Sequence, residues 1–187
     1  MPFSIKELNI PDVLLINAEV HGDERGHFSE IYKNSEFSLK GLKKEFPQDN
    51  LVFSGKNVLR GLHYQLQPSV QGKLVTVIKG EIFDVALDIR YNSPSYGKWV
   101  WQILDDVERK MMYIPEGFAH GYCVLSNESI IAYKTTAEYS PHLDCGIKWN
   151  DSYLNIEWPV QHPILSEKDQ NLSDFRRSNR NLHELRV

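Results

Sequence analysis

Cysteine is scarce in this chain of 187 residues: the two present, Cys123 and Cys145, lie far apart with no CxxC. They read as reduced, structural thiols of a cytoplasmic protein rather than as a disulfide framework. Basic charge is not in excess either. With 21 Lys and Arg against 25 Asp and Glu, the net charge is −4, so no general positive field argues for nucleic acid as a partner. No apolar run approaches the ~20 residues of a membrane span, and the opening MPFSIKELNI has no basic region followed by an apolar one, as a secretory signal would. Neither GxGxxG nor GxxxxGK[ST] occurs, which leaves no Rossmann turn and no P-loop. Repeats, low-complexity tracts and domain-splitting linkers are missing too. The expectation is one cytoplasmic domain over residues 1–187, long enough to bury a core, with no membrane partner.

What is present is mostly strand signal. KLVTVIKGEIFDVALDIR, residues 73–90, predicts two strands around Lys79-Gly80. In the second, Phe83, Val85, Leu87 and Ile89 alternate with Asp84, Ala86, Asp88 and Arg90. This period of two predicts one apolar face and one partly polar face. Further β-rich runs are WVWQIL, KMMYI, GYCVLS and SIIAYKTTAEY, separated by turn chemistry at Asn92-Ser93-Pro94, Pro115-Glu116-Gly117 and Ser140-Pro141. Many short strands between turns predict an all-β sandwich or barrel. One early helix is expected over SEFSLKGLKKEF, capped by Ser35, with Phe37, Leu39 and Leu42 on one face. The C-terminal third loses the strand rhythm; it is expected to wrap the barrel and to end in a short helix near residues 166–176.

Polar side chains on inward strand positions disfavour a dry core and favour a cavity. His63, in VLRGLHYQ, reads either as a hydrogen-bonded histidine at a strand end or as a general base. Tyr133 and Tyr139, in AYKTTAEY, are expected on one strand face, as wall aromatics or as a proton donor and a stacking platform. Arg60 and Lys73 flank the QPSVQG loop and, with Arg25 and Lys168, suit an anion pocket. The runs around His63 and His120 resemble the two halves of the cupin pattern. Where a metal cupin has a second histidine this chain has Gln65, and no Glu follows before Glu81. Two imidazoles without that carboxylate make a poor divalent-metal site, so no metal is expected.

Taken together, DERGHFSEIY, SGKNVLRGLHYQ, QGKLVTVIKGEIFDVALDIR, SPSYGKW, YIPEGFAHGY, AYKTTAEY and ILSEKD resemble the dTDP-4-dehydrorhamnose 3,5-epimerase family, in the family's order from about residue 20 to residue 170. The resemblance implies an all-β, cupin-type jelly-roll barrel with short peripheral helices. It also implies a homodimer, no cofactor, and a dTDP-sugar substrate, dTDP-4-dehydro-6-deoxy-D-glucose. The base then falls on His63, its partner acid on Asp169, the lysine near the keto oxygen on Lys73 and the proton donor on Tyr133. Tyr139 is implied to stack on thymine, and Arg25, Glu30, Gln48, Asp49, Asn50, Arg60, His120 and Lys168 to contact nucleotide or sugar. At Asp144, a further implied contact, family members often have Glu.

This assignment is chemically coherent. Epimerising a carbon beside a ketone requires a base on one face, a proton donor on the other and a cation at the developing oxyanion. C3 and C5 both flank the C4 carbonyl, so one base and one donor can serve both. Rival readings are an epimerase acting at C3 or C5 alone, a ketoisomerase on the same fold, a non-catalytic sugar-binding cupin and a metal-dependent cupin.

Overall fold

Side chains alternating along short β-rich runs need two apolar layers to bury against, and the computed structural model, which describes residues 2–176, supplies them. Its strands are β1 (Phe3–Glu7), β2 (Leu14–Ala18), β3 (Val20–Asp23), β4 (Gly26–Ser29), β5 (Gln48–Gly55), β6 (Leu59–Gln65) and β7 (Lys73–Lys79). They continue with β8 (Glu81–Asp88), β9 (Trp99–Asp105), β10 (Lys110–Ile114), β11 (Phe118–Val124), β12 (Glu128–Thr135) and β13 (Asp144–Gly146). Two short helices complete the chain, α1 (Asn34–Leu39) and α2 (Glu167–Gln170). One sheet has the order β1-β2-β10-β7-β12-β5 and the other β13-β6-β11-β8-β9, while β3 and β4 form a separate hairpin. The named strand pairs are all antiparallel. Lys79-Gly80 makes the turn between β7 and β8. Gly80 has φ +85°, and a Cβ there would stand 2.2 Å from the Glu128 carbonyl oxygen, so only glycine fits.

Three apolar layers result. Between the sheets lie Val75, Val77, Ile82, Ala86, Met112 and Ile131. The outer face of the five-stranded sheet carries Phe83, Val85, Leu87 and Ile89, covered by Leu154, Trp158 and Phe175 from the C-terminal segment. This covering segment is fastened by one buried carboxylate. Asp151 accepts from the Leu154 amide through Oδ1 (2.9 Å) and from the Phe175 amide through Oδ2 (2.8 Å). The third layer, Ile16, Leu74, Met111 and Tyr113, lies under Phe3 and Phe37.

β8 has the expected apolar and partly polar faces, and its polar positions Asp84 and Asp88 are both 0% exposed, because that side of the strand looks into the barrel. Three sequence expectations need correction. The early helix is only Asn34–Leu39, with Lys33 rather than Ser35 at its N-cap. Phe37 and Leu42 are buried, but Leu39 is 81% exposed; six residues followed by Gly41 at φ +91° are too short to form the expected face. Finally, β12 stops at Thr135, so Tyr139 is not on the strand of Tyr133. The expected C-terminal helix is not continuous over 166–176: α2 covers 167–170, a non-helical stretch follows from Asn171, and the chain is helical again at 175–176, while residues 1 and 177–187 lie outside the described residues.

Candidate active site

The site begins with an irregularity in β6. His63 pairs with His120 and Arg60 with Tyr122, so three steps along β6 match two along β11. This β-bulge changes which way side chains point. In a regular strand residues 60 and 63 would face opposite sides; here both follow His120 and Tyr122, which share a face. Gly61 makes the bulge possible. Its φ is +121°, and a Cβ would stand 2.5 Å from Gly121 Cα and 2.7 Å from the His120 carbonyl oxygen. A guanidinium and an imidazole three residues apart thereby look into one barrel.

His63 is held from outside the sheet by α2. Its Nε2–H donates to Asp169 Oδ1 at 2.5 Å, which leaves Nδ1 as the nitrogen able to take a proton. Asp169 is 3% exposed and is fixed by its own helix. Ser166 at the N-cap accepts from the Asp169 amide (3.1 Å) and its hydroxyl donates to Asp169 Oδ2 (2.9 Å). This is one half of a capping box, the N-cap hydroxyl on the N3 amide, with the aspartate carboxylate taking that hydroxyl's proton instead of the N-cap amide's. Burial opposes ionisation of Asp169, but His63, Ser166 and Lys168 more than offset it and hold the carboxyl below its usual range.

Opposite His63, Lys73 opens β7 at 9% exposure, with Nζ 3.4 Å from the His63 carbonyl oxygen, to which it donates. Burial pushes its ammonium down to about 8; Asp144 and Asp84 oppose that drop and Lys168 adds to it. Asp84, on β8, accepts a bond from His120 Nε2 at 2.6 Å, and its second oxygen has no protein partner among the described residues. Burial lowers His120 despite Asp84, with Lys73 and His63 contributing, and so favours neutral imidazole. Among the described residues no group of three or more His, Cys, Asp or Glu is arranged to hold a metal ion.

The six-stranded sheet supplies the other wall. Tyr133 lies opposite Asn50, and Thr135 opposite Gln48 and Lys73. Burial raises the Tyr133 phenol; Arg60 opposes this and Asp144 adds to it. Tyr139, 53% exposed, is placed by its bonds instead of by a strand. Its amide donates to Gln48 Oε1 (2.7 Å) and its hydroxyl to Asp144 Oδ2 (2.8 Å). Asp144 is also ion-paired with Lys168. Gln48 Nε2 donates to Asn50 Oδ1 at 2.8 Å, leaving the buried Asn50 Nδ2 without a protein partner among the described residues.

These groups meet in a cleft of about 310 Å³. Gln48, Asn50, His63, Lys73, Tyr133, Tyr139 and Asp144 line it. Asp169 stands behind His63, Lys168 behind Asp144 and His120 beside Asp84. Arg60 shares the inward face but sits at the start of β6, away from the QPSVQG loop, where its Nε donates to Ser54 Oγ at 3.2 Å.

Three expected residues are not brought to this cleft. Asp49 lies between Gln48 and Asn50, so strand alternation turns it outward, where it pairs with Lys134 at 2.7 Å. Arg25 is on the exposed β3–β4 hairpin, ion-paired with Asp23, and Glu30 follows that hairpin, 3.7 Å from Lys33. The four-cation anion pocket therefore does not assemble within one chain. Conversely, sequence reasoning passed over Asp84, Ser166 and Gln65. An acid interrupting an apolar strand was the available signal for Asp84, and the SEKD spacing was the one for Ser166.

The fold and these blocks have clear relatives. A model of the dTDP-4-dehydrorhamnose 3,5-epimerase family matches residues 7–177. A curated dTDP-4-dehydrorhamnose 3,5-epimerase of Shigella flexneri is 52% identical over 173 residues, 92% of this chain and 96% of the relative. One from Methanothermobacter thermautotrophicus is 46% identical, covering 93% and 95% of the two chains. The crystal structure of dTDP-6-deoxy-D-glucose-3,5-epimerase from Legionella pneumophila, in complex with dTDP-4-keto-L-rhamnose, superposes with a TM-score of 0.92 at 42% identity over 96% of each chain. Overall fold and sequence agree over nearly the whole chain, which belongs to the dTDP-4-dehydrorhamnose 3,5-epimerase family.

Proposed function

We propose that this protein converts dTDP-4-dehydro-6-deoxy-D-glucose to dTDP-4-dehydro-L-rhamnose, in the formation of dTDP-L-rhamnose. The observation that carries the reading is the His63–Asp169 pair opening on the same cleft as the Lys73 ammonium and the Tyr133 phenol. His63 takes the proton from the carbon beside the C4 ketone. The C–H electron pair moves into a carbon–carbon double bond and the C4 oxygen becomes an enolate. Lys73 donates a hydrogen bond to that oxyanion, and Tyr133 gives its proton to the opposite face. General base catalysis supplies about 10²–10⁴-fold and one oxyanion donor about 10²–10³-fold, so the scheme needs both. Only protons move, and no hydride or electron carrier is called for. Tyr139 stacks on thymine, held by Asp144 and Gln48. The protein acts in the cytoplasm; among the described residues no helix is long and apolar enough to cross a membrane.

The active form is a homodimer. Arg25 and Glu30 support this, because contacts implied for them cannot be made to their own chain's cleft as they stand. A hairpin exposed from Val20 to Phe28 and an outward face of the edge strand β5 bearing Leu51 (72% exposed) and Phe53 (63%) are what a second copy would cover.

Proton NMR of dTDP-4-dehydro-6-deoxy-D-glucose in D₂O tests the reaction. Deuterium is expected at both C3 and C5 with the native protein, and at neither with His63→Ala, which should still bind dTDP. Exchange at one carbon only would make it a single-site epimerase. Normal exchange in His63→Ala would remove His63 as the base.

A further inference from the structure

Tyr139 poses a physical problem: a half-exposed ring beyond the end of β12 has no ladder to hold its backbone. Between Thr136, whose amide donates to the Gly72 carbonyl, and Ser140, whose carbonyl accepts from the Leu143 amide, the segment is tied down by side chains. Gln71 Nε2 donates to the Ala137 carbonyl at 2.8 Å and Gln48 Oε1 accepts from the Tyr139 amide at 2.7 Å. Gln65 grips both neighbours of Tyr139. Its Oε1 accepts from the Ser140 amide at 2.6 Å, and its Nε2 donates to the Glu138 carbonyl at 3.2 Å. The same Nε2 also donates to the Ser69 carbonyl at 2.7 Å, so one amide joins the loop after β6 to the loop after β12.

A primary amide has two N–H donors. Gln65 spends both on backbone carbonyls and is 4% exposed, so it has no donor left for a ligand. It stands opposite Asp144 in the β6–β13 register, and Asp144 holds the Tyr139 hydroxyl. Backbone and ring of Tyr139 are thus fixed from one rung. We infer that Gln65 is a positioning residue that sets nucleotide affinity by holding the Tyr139 loop ready for the base, with no part in the proton transfers. This rests on the proposed stacking role of Tyr139. The physical basis is preorganisation: a platform ordered before binding avoids the ordering entropy on binding.

The test is a double-mutant cycle with Gln65→Met and Tyr139→Ala, reading dTDP affinity by calorimetry and KM and kcat on the dTDP-sugar. Tyr139→Ala is expected to weaken dTDP by about 5- to 100-fold. Gln65→Met should weaken it, and raise KM, by about 2- to 10-fold, with kcat within about twofold of native. In the Tyr139→Ala background Gln65→Met should add almost nothing. If Gln65→Met leaves affinity unchanged while Tyr139→Ala weakens it, the inference fails and the stacking role stands. Losses that multiply, or a fall in kcat at constant KM, would also overturn it. Unchanged affinity in Tyr139→Ala would sink both. Should Gln65→Met not fold, Gln65→Asn carries the same cycle, since an amide one methylene shorter cannot span the three carbonyl and amide groups.

Discussion

Lys73 holds a charge where burial disfavours one, and that sets the pH behaviour of the site. Its conjugate acid is pushed down to about 8 by burial, against the pull of Asp144 and Asp84 and with the push of Lys168. Below about 8 the ammonium form dominates and can stabilise an enolate; above it the neutral amine takes over. We therefore predict that kcat/KM falls as pH rises through about 8. The limb does not belong to Tyr133, whose phenol burial shifts upward and keeps protonated in this range. Asp84→Asn removes one negative neighbour, so the ammonium is less favoured and the limb should move to lower pH. Asp84 also holds His120, but burial already favours the neutral form there, so that imidazole adds no competing step near 8. A pH–rate profile decides, and a limb in the same place in Asp84→Asn would mean that Asp84 does not act on Lys73. Replacing the ammonium altogether, in Lys73→Met, should cost about 10²–10³-fold in kcat. None of this depended on recognising Asp84 as functional from sequence. The period of two in β8 puts Asp84 on a polar face, but which neighbours that face meets depends on the strands opposite, and no local pattern gives them.

Among elements, β6 shows where sequence patterns end. Strand existence was legible, because β-branched and aromatic runs broken by turn residues leave few alternatives; β7, β8, β9 and β10 fall where those runs lie. Facing was less legible. A period of two assigns sides only while pairing is regular, and the bulge at Gly61 reverses the assignment between Arg60 and His63. Conversely, regular pairing in β5 splits the run Gln48-Asp49-Asn50 between two faces, although all three were expected to contact ligand. The partnership of His63 with Asp169, 106 residues apart, could be expected only from family resemblance, since no local period links a strand to a helix so far along the chain. The bulge gives a direct prediction. Gly61→Ala forces a Cβ into the β11 backbone at a positive φ and should destabilise the fold by at least about 1–3 kcal/mol. Urea unfolding measures it. A variant as stable as the native chain would show that the bulge tolerates a side chain and that glycine is not what turns His63 and Arg60 to one side.

For the whole molecule the open matter is how Arg25 could serve a cleft that its own chain holds at a distance. Among the described residues the β3–β4 hairpin pairs with no other strand, and Val20 and Phe28 on it are 41% and 65% exposed. The edge strand β5 presents Leu51 and Phe53 outward, next to a hollow of about 270 Å³ lined by Ile31, Leu51, Ala132 and Lys134. Edge strands with apolar outward faces invite pairing or coverage. In the proposed dimer this surface is shared, and each hairpin carries Arg25 to the other subunit's cleft. Complementation separates that arrangement from service in cis. Arg25→Ala and His63→Ala proteins should each be weak or inactive alone. Mixed and allowed to exchange subunits, they form heterodimers in which the His63-bearing cleft receives the intact Arg25 of the other subunit, so activity should rise to about a quarter of native, the yield of one complete site in half of the dimers under random exchange. If Arg25 served its own chain, every mixed dimer would lack either base or guanidinium at each cleft and no activity would return. Light scattering on the same mixtures gives the oligomeric state, and a chain that stays monomeric while fully active would remove the dimer from the mechanism.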